Sequence, residues 1–143
     1  MNPQAILVYP GLGKTTLAMR NNKFADVDLK EYIGRHDYPN FHGAQVNSEN
    51  MLQYSKDQIA AGKTLLLVFK KDSIDLLNKL GITDYAIVLP DKTKLEEVEN
   101  DQKNRGKDPK HIIEFYEASV KEAKDLNKQT VFLQTGIYLG DVV

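Results

Sequence analysis

The residues best suited to chemistry lie in one short stretch near the start of the chain. An apolar run, Ala5-Ile6-Leu7-Val8-Tyr9, leads into Pro10-Gly11-Leu12-Gly13-Lys14-Thr15-Thr16. Glycines at 11 and 13 permit backbone conformations closed to other residues. Successive N–H groups can then turn inward and surround an anion. If a helix begins at Lys14, its positive end adds to the same spot. Lys14 then meets the outer oxygens of a phosphate chain as a point charge, and the Thr15 hydroxyl is a ligand for an accompanying magnesium ion. The general pattern for such a loop, G-x-x-x-x-G-K-[ST], has glycine where this chain has Val8. The amides that face the anion come mainly from residues 10 to 15, so Val8 leaves the cradle in place.

A second set of candidates is acidic and basic. Asp26 and Asp28 end a short segment, Phe24-Ala25-Asp26-Val27-Asp28. One carboxylate at a strand end is expected to face the loop, and Asp26 is favoured. Only three arginines occur, Arg20, Arg35 and Arg105. Arg105 sits beside Lys103, Lys107 and Lys110, and Arg35 follows the acidic segment among Tyr32, Tyr38 and Phe41. Arg20 reads as a helix-end charge. His36, His42 and His111 lack the spacing of a metal site. Asp72 reads as a helix cap.

These residues must be positioned by alternating strands and helices. Ala5–Tyr9, Thr64–Phe69 and Tyr85–Leu89 are short continuous apolar runs, the mark of strands buried on both faces. Weaker strands are expected at Phe24–Leu29 and Thr130–Leu133. Helices are expected from Lys14 to Arg20, and from Ser48 to Ala61 with Asn47 as cap and Gly62 as stop. A third runs from Asp72 to Leu80, and a fourth from a Thr93/Glu96 capping box towards Arg105. Gly106 ends that helix. Asp108-Pro109 starts another, with an apolar stripe of Ile112, Tyr116, Val120, Ala123 and Leu126. Residues 30–46, punctuated by Gly34, Pro39 and Gly43, are expected to be irregular or briefly helical. The tail from Ile137 packs or frays. The alternation predicts an α/β fold of about five mostly parallel strands with helices on both faces. Ligands of such sheets bind at the carboxyl ends of the strands, which is where the glycine turn lies.

Composition narrows the classes. The 143 residues suit one domain with no internal repeat, and 27% are charged with a net charge of −1. Proteins that grip a nucleic-acid backbone normally carry a basic excess, so a nucleic-acid partner is not expected. There is no cysteine, hence no disulfide or thiolate metal site. No leader pattern and no run long enough to span a membrane is visible, so a cytoplasmic location is expected.

The stretch P-G-x-G-K-T-T at residues 10–16 resembles the phosphate loop of nucleoside monophosphate kinases. Asp26-Val27-Asp28 resembles the D-x-D that ends the second strand of shikimate-type kinases. Both belong to the P-loop NTPase superfamily, and the order of elements is similar over nearly the whole chain. It also resembles short P-loop proteins of phages and Gram-positive bacteria regarded as nucleotide kinases. The resemblance implies a three-layer P-loop fold spanning residues 1–143, binding ATP or GTP with Mg2+ through Pro10, Gly11, Leu12, Gly13, Lys14, Thr15 and Thr16. It implies metal ligation by Thr15 and Asp26, and an acceptor pocket near Asp28 and Arg35. It also implies a lid at about 100–110 that brings Arg105 to the transferring phosphoryl group, with Lys14 and Asp26 as the other catalytic residues. The function implied is phosphoryl transfer to a nucleotide or nucleoside-like acceptor. A nucleotide-binding regulatory module is the alternative, and a polynucleotide-end kinase a weaker one.

Overall fold

The computed structural model describes residues 3–27 and 44–143, and the side chains of all of these except 44–50. Asp28 and Arg35 therefore lie outside the described residues, as do Tyr32, His36, Tyr38, Phe41 and His42.

Five strands form the sheet: β1 (Ala5–Val8), β2 (Phe24–Val27), β3 (Thr64–Val68), β4 (Tyr85–Pro90) and β5 (Thr130–Leu133). Every pairing is parallel, in the order β2-β3-β1-β4-β5. The apolar runs form the middle of the sheet for a simple reason. All four residues of β1 and all six of β4 are buried, which only a strand covered on both faces requires. The first helix is α1 (Lys14–Arg20), followed by α2 (Ala44–Ala60), α3 (Lys71–Lys79) and α4 (Lys92–Asn104). Then come α5 (Lys110–Glu114), α6 (Tyr116–Leu126) and α7 (Leu139–Val142).

The connection from β1 to β2 runs across β3 in one direction, and every later connection runs in the other. Right-handed crossovers then put α1 on one face of the sheet and the helices of the later connections on the opposite face. The three-layer α/β architecture expected from the sequence is the one observed, with all strands parallel. The short α7 joins α1, with Gly140 against Leu17. This thin cover leaves a cavity of about 810 Å³, lined by Ile6, Phe24, Ala86, Val88, Val131 and Val143. Gln4, Thr64 and Gln129 at its rim mark the amino ends of the strands, the end opposite the glycine turn. No helix among the described residues is long and apolar enough to cross a membrane.

Several helix ends differ from the expectation. Helix α2 starts at Ala44 rather than after Asn47. Helix α3 is capped by Lys70 without a side-chain bond, and Asp72 sits in its first turn, where a carboxylate favours the positive helix end. Helix α4 is capped by Asp91, whose carboxylate accepts from the Lys94 N–H at 2.9 Å. The Thr93 hydroxyl donates to the same carboxylate at 2.7 Å, so Thr93 supports the cap instead of providing it. These bonds hold the Asp91 carboxyl below its usual range, the Lys94 N–H first. The last long helix is broken at Phe115, which leaves the helical region at φ −95°, ψ 4°. Ile112 meets the β1–α1 turn while Tyr116 enters the core, its hydroxyl donating to the Pro90 carbonyl at 2.7 Å.

Candidate functional site

The site is built at the carboxyl edge of the sheet. The turn between β1 and α1 holds Gly11 at φ 86° and Gly13 at φ 89°, left-handed values that an L side chain resists. Gly13 is also the N-cap of α1 and offers no side-chain cap. The first turn of α1 contains no acidic residue, so no carboxylate of its own opposes its N–H groups. Leu12 is buried and anchors the turn, whereas Pro10 and Thr16 are exposed.

Asp26 enters from β2, two strands away. In the sheet register it aligns with Leu66, which aligns with Ile6, so its side chain emerges on the α1 face. Its flanking residues Ala25 and Val27 are buried on the other face. There Asp26 bridges two residues of the turn. One oxygen pairs with the Lys14 ammonium, and the other accepts from the Thr15 hydroxyl at 2.8 Å. Lys14 and Asp26 are about nine-tenths buried, 10% and 12% exposed at the side chain. A lysine this far from water and paired with a carboxylate departs from the usual solvated lysine. Thr15 and Asp26 supply two hard oxygens side by side, the donor set magnesium accepts when phosphate and water complete its shell. Among the described residues no group of three or more His, Cys, Asp or Glu side chains could hold a metal alone.

The far side of the turn is closed by α4 and α5. A Cβ at Gly11 would lie 2.7 Å from Val98 Cγ1, 3.6 Å from Gln102 Nε2 and 3.7 Å from Ile112 Cδ1. Val98, Gln102 and Arg105 follow the spacing i, i+4, i+7, so Arg105 continues the face that meets the turn. Arg105 is exposed at the C-cap of α4, with Gly106 beyond it at φ 73°. The lysines around it are partly committed. Lys103 pairs with Glu99 at 3.1 Å and Lys110 with Glu114 at 3.7 Å, exposed pairs that contribute little.

Tyr9 adds a tie that its place in an apolar run concealed. It is 2% exposed, and its hydroxyl donates to the Ile112 carbonyl. Burial, and then the neighbouring Tyr116, push it up to about 12, so it remains a donor at any ordinary pH. Its ring meets Tyr116 edge-on at 6.0 Å. A second tie lies beyond β5. The Gly136 N–H donates to Glu97 at 3.2 Å, and Lys94, itself ion-paired with Glu97, lies 4.7 Å over the Tyr138 ring. Lys70 and Lys71, exposed directly after β3, stand between the strand of Asp26 and the strand of the turn.

The structure thus brings together Lys14, Thr15 and Asp26 and leaves Arg105 exposed at the C-cap of α4, the helix whose Val98 and Gln102 lie against Gly11. The chain matches no protein-family model, and its sequence matches no curated protein.

The contact at Gly11 yields a stability test. Gly13→Ala meets nothing within 4 Å and is expected to cost about 1–2 kcal/mol from its backbone conformation alone. Gly11→Ala adds overpacking against Val98 and is expected to cost about 3 kcal/mol or more. Urea midpoints at unchanged slope measure both. Equal losses would mean that α4 yields freely to the turn.

Proposed function

We propose that the protein binds ATP or GTP with Mg2+ and transfers the terminal phosphoryl group to a small acceptor, most readily a nucleotide or nucleoside-like molecule. The observation that carries this reading is the convergence of Lys14, Thr15 and Asp26 in front of a turn with two left-handed glycines. Phosphoryl transfer requires little beyond positioning and charge neutralisation, which this residue set can supply.

In this reading the inward amides of residues 10–15 and the Lys14 ammonium hold the outer phosphates. Lys14 exchanges its pairing with Asp26 for one with phosphate, and the released carboxylate joins Thr15 in holding magnesium. When bound, the ion neutralises charge on the phosphate oxygens. Arg105 is suited to approach the same oxygens from α4. The acceptor approaches over the carboxyl ends of β2 and β3, where the exposed Lys70 and Lys71 favour an acceptor that carries its own negative charge.

The test is a panel of nucleosides, nucleoside monophosphates and small hydroxy acids, incubated with ATP and magnesium and analysed for phosphorylated product. At least one acceptor is expected to gain phosphate at a rate that falls about 100-fold in Asp26→Asn. No product above a Lys14→Ala control, with nucleotide affinity intact, would favour the second reading, a binding module without turnover. The exposure of the one described lid arginine, Arg105, supports that alternative. The net charge of −1 speaks against a polynucleotide-end kinase.

A further inference from the structure

We infer that Tyr9 is a positioning residue that ties the 103–111 connection to the glycine turn, so that a phosphate seated in the turn also fixes the place of Arg105. The inference rests on the nucleotide reading above and adds a residue to it.

Residues 103–111 are held at both ends by contacts with the turn. At one end, Val98 and Gln102 of α4 lie against Gly11. At the other, Ile112 of α5 lies against Gly11 with its side chain and accepts the Tyr9 hydroxyl with its carbonyl. The segment between carries Lys103, Arg105, Lys107 and Lys110, and its side chains are exposed apart from Pro109. It is a basic, solvent-facing span with both feet on the anion-binding turn.

The two feet differ physically. The α4 contact is van der Waals packing, which tolerates sliding. The Tyr9 bond is directional and partly buried, with the tyrosine itself 2% exposed, and breaking it takes from the Ile112 carbonyl its bond to the turn. Helix α5 has only five residues, too few to hold itself in place, and depends on such outside contacts. The Tyr9 bond is thus the specific link from the turn to the second foot. Tyr9 directly precedes Pro10 and the amides of the cradle, so any shift of the turn on binding phosphate reaches Ile112 through it. Tyr116 provides a contrast. Its buried hydroxyl belongs to the same aromatic pair but bonds to Pro90, at the end of β4.

Hydrogen exchange on the full chain tests the link, using Tyr9→Phe, which keeps the ring, and Tyr116→Phe as the control. Without ligand, exchange over 109–114 is expected to speed up about fivefold in Tyr9→Phe and to stay within about twofold of wild type in Tyr116→Phe. A non-hydrolysable ATP analogue with magnesium is expected to slow exchange over 103–111 in wild type and in Tyr116→Phe. In Tyr9→Phe most of that protection is lost, with affinity within about threefold of wild type. Protection of 103–111 in Tyr9→Phe equal to wild type overturns the inference and leaves nucleotide binding intact. So does an affinity loss in Tyr9→Phe as large as its loss of protection, which would make the hydroxyl a support of the cradle itself. A wild-type protein that binds neither ATP nor GTP overturns both the inference and the reading beneath it.

Discussion

Lys14→Ala is expected to weaken ATP binding by about 100-fold or more and to remove measurable phosphoryl transfer. Among the described residues Lys14 is the cation that directly follows the glycine turn, at the start of α1, and its side chain is already nine-tenths withdrawn from water. A cation in that position interacts with an anion far more strongly than a solvated one, because little water screens it. The substitution also takes the Lys14 ammonium away from a largely buried Asp26 carboxylate. Some of the loss will therefore register as instability rather than affinity. The double variant Lys14→Ala/Asp26→Asn separates the two. Removing the buried negative charge that has lost its counter-ion should restore thermal stability to within about 1 kcal/mol of wild type, while nucleotide binding remains lost. Isothermal titration and urea unfolding on the same samples give both quantities. If the single variant binds ATP within threefold of wild type, the turn does not act as a phosphate cradle.

Different parts of the molecule were legible in the sequence to different degrees, for physical reasons. The sheet could be read because burial on both faces forces uninterrupted apolar runs, and Ala5–Val8, Leu65–Leu67 and Tyr85–Leu89 are such runs. The turn could be read because its conformation requires glycine at 11 and 13. Helix ends were harder to place. Asp91 and Thr93 are both competent caps two residues apart, and only the fold decides which oxygen the Lys94 N–H finds. The break at Phe115 was hidden because the stripe Ile112, Tyr116, Val120 and Ala123 keeps helical spacing across it. The role of Tyr9 had no local signal. A tyrosine in an apolar run reads as core, and its partner is a backbone carbonyl 103 residues away. The choice of Asp26 could be argued from its place at a strand end. Its contacts with Lys14 and Thr15 depend on the order β2-β3-β1, which no local pattern encodes.

Asp26→Asn is expected to act in opposite directions with and without magnesium. In the ligand-free protein the carboxylate holds the Lys14 ammonium, and in the proposed reading it presents negative charge where the phosphate would sit. Without divalent metal, both effects oppose nucleotide binding. Asparagine preserves the shape and can still accept from Thr15, but it neither holds the ammonium as firmly nor repels phosphate. ATP affinity in the presence of a chelator should therefore rise by about tenfold, a change of about 1.4 kcal/mol. With magnesium the same substitution removes one of the two hard oxygens available to the ion, and the gain in affinity that magnesium gives wild type should largely vanish. Transfer, which needs the metal against the phosphate oxygens, should fall by about 100-fold. A plain surface ion pair predicts something else: little change in affinity under either condition, and a loss of stability below about 1 kcal/mol. Titrating ATP into both proteins with chelator and with magnesium distinguishes these cases. An unaltered magnesium dependence in Asp26→Asn would remove Asp26 from the metal site and leave it as the partner that holds Lys14 in place before the nucleotide arrives.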